Sequence, residues 1–107
     1  QVHEVVLRDR RFLSEDGFLV VVIRVDRLTG DLIGEPELVS RGFILTDVSA
    51  ELLEATQEQI STIVAETPLE EKQDQELFNE ILRKSLKRFL RKQTGKRPII
   101  LPVTIEI

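Results

Sequence analysis

From Arg83 to Ile105 the chain carries eight Lys or Arg residues and no acid, while the other positions hold seven basic residues against all nineteen Asp and Glu. Clustered ammonium and guanidinium groups do one kind of chemistry without further equipment: they neutralise phosphate or carboxylate anions. Lys84, Lys87, Arg88 and Arg91 recur at helical spacing on one face, and Lys92, Lys96 and Arg97 continue the set. These seven are candidate contacts to RNA phosphates. A plainer reading is open beside it, in which they are the solvated back of an amphipathic helix, Glu80 pairs with Lys84, and cations gather where the helix C-terminus favours them.

Other chemistry is poorly provided for. His3 is the single histidine and has no second ligand at His-x-His or His-x-x-x-His spacing, so no metal residue is assigned. Asp9, Glu15, Asp16, Asp26 and Asp31 fall around turns, where carboxylates bond to local backbone more often than they act as acids or bases. The glycines at 17, 30, 34, 42 and 95 are too widely spread for a phosphate-cradling loop, and there is no nucleophile elbow. No catalytic residue is assigned. The five aromatics, Phe12, Phe18, Phe43, Phe78 and Phe89, sit mostly at core positions and offer no platform for stacking bases, so any RNA contact is expected to be to phosphate.

The elements that must carry these residues can be read in order. Ser14-Glu-Asp-Gly17 is a turn signal, and the β-branched run Phe18 to Val25 after it predicts a strand that ends at a second turn, Asp26 to Asp31. Alternation puts Leu19, Val21, Ile23 and Val25 on a core face. Phe18, Val20 and Val22 are left on the other face as a candidate self-association patch. Pro36 suits the start or edge of a second strand, expected over Glu37 to Leu45. Asp47 or Ser49 caps a helix from about Ala50 to Thr67, with Leu52, Leu53, Thr56, Ile60, Ile63 and Val64 inward and Glu51, Glu54 and Glu58 in water.

Thr67-Pro-Leu-Glu70 has the capping-box pattern and predicts the start of a second helix, with Leu77, Phe78, Ile81, Leu82, Leu86, Phe89 and Leu90 inward. Its acids lie early and its bases late, complementing the helix dipole, and Gly95 stops it. A last strand follows Arg97-Pro98. The expected architecture is one α+β domain over residues 1–107, a two-layer sandwich of about three strands with two helices on one face in the order β-β-α-α-β, with Gln1 to Ser14 as lead-in from a preceding linker.

Composition sets the outer limits. Hydrophobic residues at 41% and charged residues at 32% suit a folded domain rather than a disordered chain. Absence of cysteine excludes disulfides, thiolate metal sites and cysteine nucleophiles, and is compatible with an intracellular home. The longest uninterrupted apolar run, Phe18 to Ile23, is far short of the roughly 20 residues of a membrane span. The first residues lack the pattern of a secretory signal, and Gln1 in place of Met suggests a fragment of a longer protein.

Three segments stand in a telling order: Arg11-Phe-Leu-Ser-Glu-Asp-Gly17 before the first strand, Pro36-Glu-Leu-Val-Ser-Arg-Gly-Phe43 before the first helix, and Lys96-Arg-Pro-Ile-Ile-Leu-Pro102 entering the last strand. Together they resemble the C-terminal domain of ribonuclease J over essentially the whole chain. The resemblance implies a parent of the metallo-β-lactamase type with an inserted β-CASP domain, a bacterial, cytoplasmic, metal-dependent endo- and 5'-3' exonuclease of RNA processing and decay. It implies a divalent metal there, zinc being expected, and none in this fragment, because the His- and Asp-rich metal motif has no counterpart here. It further implies a small α/β appendage that supports the nuclease and self-associates, giving a homodimer, the remainder of the nuclease and RNA as expected partners, and no membrane.

Overall fold

The computed structural model describes residues 17–41 and 50–107. Within them the β-branched run forms strand β1, Phe18–Val25, whose side chains alternate strictly between buried and half-buried. Leu19, Val21 and Ile23 are fully enclosed and Val25 nearly so, as the alternation requires. The chain reverses through Asp26 to Asp31. Asp26 Oδ1 accepts hydrogen bonds from the N–H groups of Leu28 and Thr29, at 2.8 and 2.9 Å, and Gly30 supplies the positive φ of +76°. Strand β2, Glu37–Arg41, then returns antiparallel to β1. The expected continuation of β2 to Leu45 lies outside the described residues, as do the turn residues Ser14 to Asp16, the caps Asp47 and Ser49, and His3.

Helix α1, Ala50–Glu66, buries Leu52, Thr56, Ile60, Ile63 and Val64 and leaves Glu51, Glu54 and Glu58 in water. Leu53, expected inward, is exposed, because its angular position falls outside the stripe that meets the sheet.

The capping-box expectation at Thr67 is overturned. Thr67 is buried, and its hydroxyl donates back to the carbonyl of Ile63 at 2.6 Å, which makes it the tail of α1 instead of the head of the next helix. The last turn of a helix leaves carbonyls without partners, and a Thr four residues on can satisfy one of them. A short helix α2, Leu69–Gln73, follows Pro68, with no side-chain cap. The long helix α3, Gln75–Thr94, begins at Asp74, whose carboxylate accepts from the N–H of Leu77 at 3.2 Å. The second helix of the sequence reading is therefore two helices with a break at Asp74. Leu77, expected inward, is exposed in the first turn after that break, while Phe78, Leu82, Leu86 and Leu90 are fully buried and Ile81 and Phe89 pack against the core edge. Gly95, at φ +77°, ends α3 with its N–H on the carbonyl of Arg91.

Strand β3, Ile99–Glu106, completes a three-stranded sheet in the order β2-β1-β3 and runs parallel to β1. A parallel return needs a long crossover, and the three helices supply it, all on the face that presents Leu19, Val21, Ile23, Val25 and Ile100. The expected α+β two-layer architecture is borne out, with the order β-β-α-α-β refined by the break at Asp74.

Candidate functional site

Two surfaces lie on opposite layers of this sandwich. The first is the sheet face turned away from the helices. Register places Phe18 beside Arg41 and Ile99, Val20 beside Val39 and Leu101, and Val22 beside Glu37 and Val103. Arg24 stands beside Ile105 and forms an ion pair with Glu37 at 2.6 Å. The expected patch of Phe18, Val20 and Val22 is thus the middle row of a wider surface whose outer rows add Val39, Ile99, Leu101, Val103 and Ile105. On it Val39 and Leu101 are each 45% exposed, Val103 43% and Ile105 41%, and among the described residues the middle row is half-shielded by its neighbours and not by a covering element. These five flanking residues escaped the sequence reading. Alternation within Ile99–Glu106 was visible, but only the pairing of β3 with β1 shows which neighbours it acquires.

Neither edge invites extension of the sheet. The N–H groups of Ile99 and Ile107 donate towards β1, so the even-numbered residues between them turn their backbone outward. There Pro102 has no N–H to offer, and the carbonyl of Thr104 already accepts from Gln75 Nε2 at 3.3 Å. On the other side β2 covers five of the described residues, and Pro36 before it has its carbonyl taken by Gln57 Nε2 at 3.1 Å.

The second surface is the outward face of α3. Its basic positions lie opposite Leu82, Leu86 and Leu90, which hold the helix to the core. Glu80 marks where the acidic half ends: it pairs with Arg83 and, at 3.9 Å, with Lys84. The expected Glu80–Lys84 pair is present but secondary. The hydrogen bond from Arg83 holds the Glu80 carboxyl below its ordinary range, and the same contact raises the Arg83 guanidinium. Past that point Lys87, Arg88, Arg91, Lys92 and Lys96 are exposed, and no ion pair engages them among the described residues. Arg97 is exposed but already engaged.

A cleft of about 300 Å³ beside β2, lined by Glu35, Glu54, Gln57, Glu58 and Ser61, holds carboxylates, yet among the described residues no three His, Cys, Asp or Glu side chains converge as a metal site. The described residues offer no donor set for the divalent metal that the resemblance attaches to a parent enzyme. Among the described residues no helix is long and apolar enough to cross a membrane.

Residues 5–107 match the model of the ribonuclease J C-terminal domain. The chain belongs to that family. The resemblance carried by Ser40-Arg-Gly-Phe43 and Arg97-Pro-Ile-Ile-Leu-Pro102 is borne out across nearly the whole chain. It is 34% identical over 106 residues to ribonuclease J2 of Bacillus subtilis, and 35% identical over 106 residues to ribonuclease J 2 of Staphylococcus epidermidis. A ribonuclease J 2 of Staphylococcus aureus is 37% identical over 109 residues. Each match takes in 99% of this chain and 19% of the relative, so the ribonuclease J C-terminal domain described here spans about a fifth of the length of those relatives.

Proposed function

We propose that this domain is the association and support module of a bacterial ribonuclease involved in RNA processing and decay, contributing binding surface and no catalytic group. The observation that carries the proposal is the open apolar sheet face. Eight residues each of β1 and β3 and five of β2, at about 3.3 Å per residue and about 4.8 Å per strand, make a face of roughly 330 Å². The largest apolar patch of a typical monomer is about 300–600 Å² and is often functional, and this face falls in that range.

The occupant that fits is a second copy of the chain. Of the charges near the rim, Arg24 and Glu37 neutralise each other within one protomer and Arg41 stands at the end of the row beside Phe18, so the middle of the face offers apolar complementarity. With the β3 edge blunted by Pro102 and Gln75, copies meet face to face, as aligned sheets about 10 Å apart in a self-complementary two-fold contact. Two such faces together bury less than about 800 Å², below the roughly 1,200 Å² at which stable interfaces begin, so association is expected to be weak and to depend on concentration. On this reading the domain works in the cytoplasm, alongside its RNA substrate. Any catalytic metal is held by the remaining four-fifths of a parent of that length.

Sedimentation velocity of the 107-residue chain over a wide concentration range tests the proposal. A weight-average coefficient that climbs from monomer to dimer is expected. A monomer at every concentration would rule out the face as a self-association surface of this domain.

A further inference from the structure

We infer that the outward face of α3, from Lys87 to Lys92 and continued by Lys96, is a docking strip for the phosphates of single-stranded RNA, read without regard to base sequence. The argument starts from where the charge lies. Acids crowd α1, α2 and the first turns of α3, and Glu80 pairs closely with Arg83 and more distantly with Lys84; beyond it no acid follows until Glu106. Five exposed cations, Lys87, Arg88, Arg91, Lys92 and Lys96, stand there with no ion pair among the described residues.

A solvated helix back needs no such segregation. Compensation of the helix dipole accounts for Arg91 and Lys92 in the last turn, since that effect fades within one turn, but not for Lys87 and Arg88 before it nor Lys96 beyond it. Repetition along the 5.4 Å pitch sets Lys87 beside Arg91 and Arg88 beside Lys92 in two adjacent rows along the helix axis, a shape that suits a linear polyanion. Among the described residues the nearest aromatic, Phe89, is packed against the core and offers no face for a base to stack on, so contacts are to phosphates. The acids on the neighbouring helices and the early turns of α3 repel a strand that strays from the strip, which keeps affinity modest. Because the strip belongs to the helical layer and the apolar patch to the opposite sheet face, this inference and the proposed self-association stand or fall separately.

Binding of labelled oligo(U) and oligo(A) RNA to the 107-residue chain, at about 50 and 200 mM salt, tests it. Five phosphate contacts on a single strand give a slope of log affinity against log salt near −3.5, a loss on the order of 100-fold over that range. The triple variant Arg88→Glu/Arg91→Glu/Lys92→Glu should abolish binding, with helical circular dichroism and sedimentation unchanged. Arg91→Glu should flatten the slope by about 0.7, whereas Arg27→Glu, with the same change in net charge at a distant turn, should leave the slope as it was. Absence of binding at 50 mM salt, equal effects of the two single variants, or binding of poly-L-glutamate in preference to RNA would each overturn it, the last in favour of an acidic protein partner.

Discussion

Lys72 and Gly30, 42 positions apart, are joined by a 2.8 Å hydrogen bond from the lysine ammonium to the glycine carbonyl. The same Nζ donates to the carbonyl of Val64 at 3.0 Å, so one side chain ties the β1–β2 turn to the last turn of α1 and to α2. It supplies charge-assisted donors to carbonyls that would otherwise lack partners.

Replacing Lys72 with Met keeps the stem and removes both donors, and the expected loss is about 1–3 kcal/mol in denaturant unfolding. Gly30→Ala should also destabilise, since its φ is +76° and the new Cβ would lie 2.8 Å from Lys72 Cε. The two should be less than additive in a double-mutant cycle, because the Cβ pushes aside the same ammonium that Met removes. Full additivity would show that Lys72 can evade the new methyl without releasing the turn.

The break at Asp74 makes a pair of substitutions diagnostic. Asp74→Ala removes the cap of α3 and should cost about 0.5–2 kcal/mol. Thr67→Val should cost less, since the Ile63 carbonyl still accepts from the Thr67 N–H at 3.0 Å and the side chain keeps its volume. Chemical denaturation midpoints read both, and the reverse ranking would restore Thr67 as the cap.

Substitutions one residue apart on β1 should separate folding from association. Val20→Lys places an ammonium on the open face and should weaken self-association with helicity retained, because the long stem can lift the charge into water. Val21 is fully enclosed, and Val21→Lys buries an unpaired charge, a cost expected above about 4 kcal/mol that should unfold the domain. Circular dichroism and sedimentation on the same samples check both. An intact dimer in Val20→Lys would remove the sheet face as the interface.

Acid should weaken the β1–β2 turn through Asp26. Its carboxyl is held below the ordinary value of 3.8, first by the N–H of Thr29 and then by that of Leu28. A carboxyl depressed in the folded state contributes stability that is complete above its unfolded pKa and is lost as pH falls through the folded one. Glu80, lowered by Arg83, acts in the same direction. Thermal midpoints from pH 7 down to 2 should therefore decline below about pH 4, and Asp26→Asn should flatten that decline. An unchanged acid limb in Asp26→Asn would mean that the turn does not depend on the charged form.

Much of this domain is local physics and was legible in the chain. The strict alternation of Phe18–Val25 determined which β1 residues are enclosed, the 3.6-residue recurrence of Phe78, Leu82, Leu86 and Leu90 determined the inner face of α3, and Gly95 marked its end. Segregation of charge along α3 was equally plain, because it needs only the order of residues on one helix. The tertiary structure decided what depends on partners distant in sequence. Thr67-Pro-Leu-Glu70 satisfies a capping box on paper, but a threonine hydroxyl can serve the helix behind it as well as the one ahead, and packing of Thr67 into the interior settled it for Ile63. The extent of the open face followed from β3 lying parallel beside β1, which sets Ile99, Leu101, Val103 and Ile105 next to Phe18, Val20, Val22 and Arg24. Alternation states which side of a strand is apolar. Only the pairing of strands states whether those sides join into one surface.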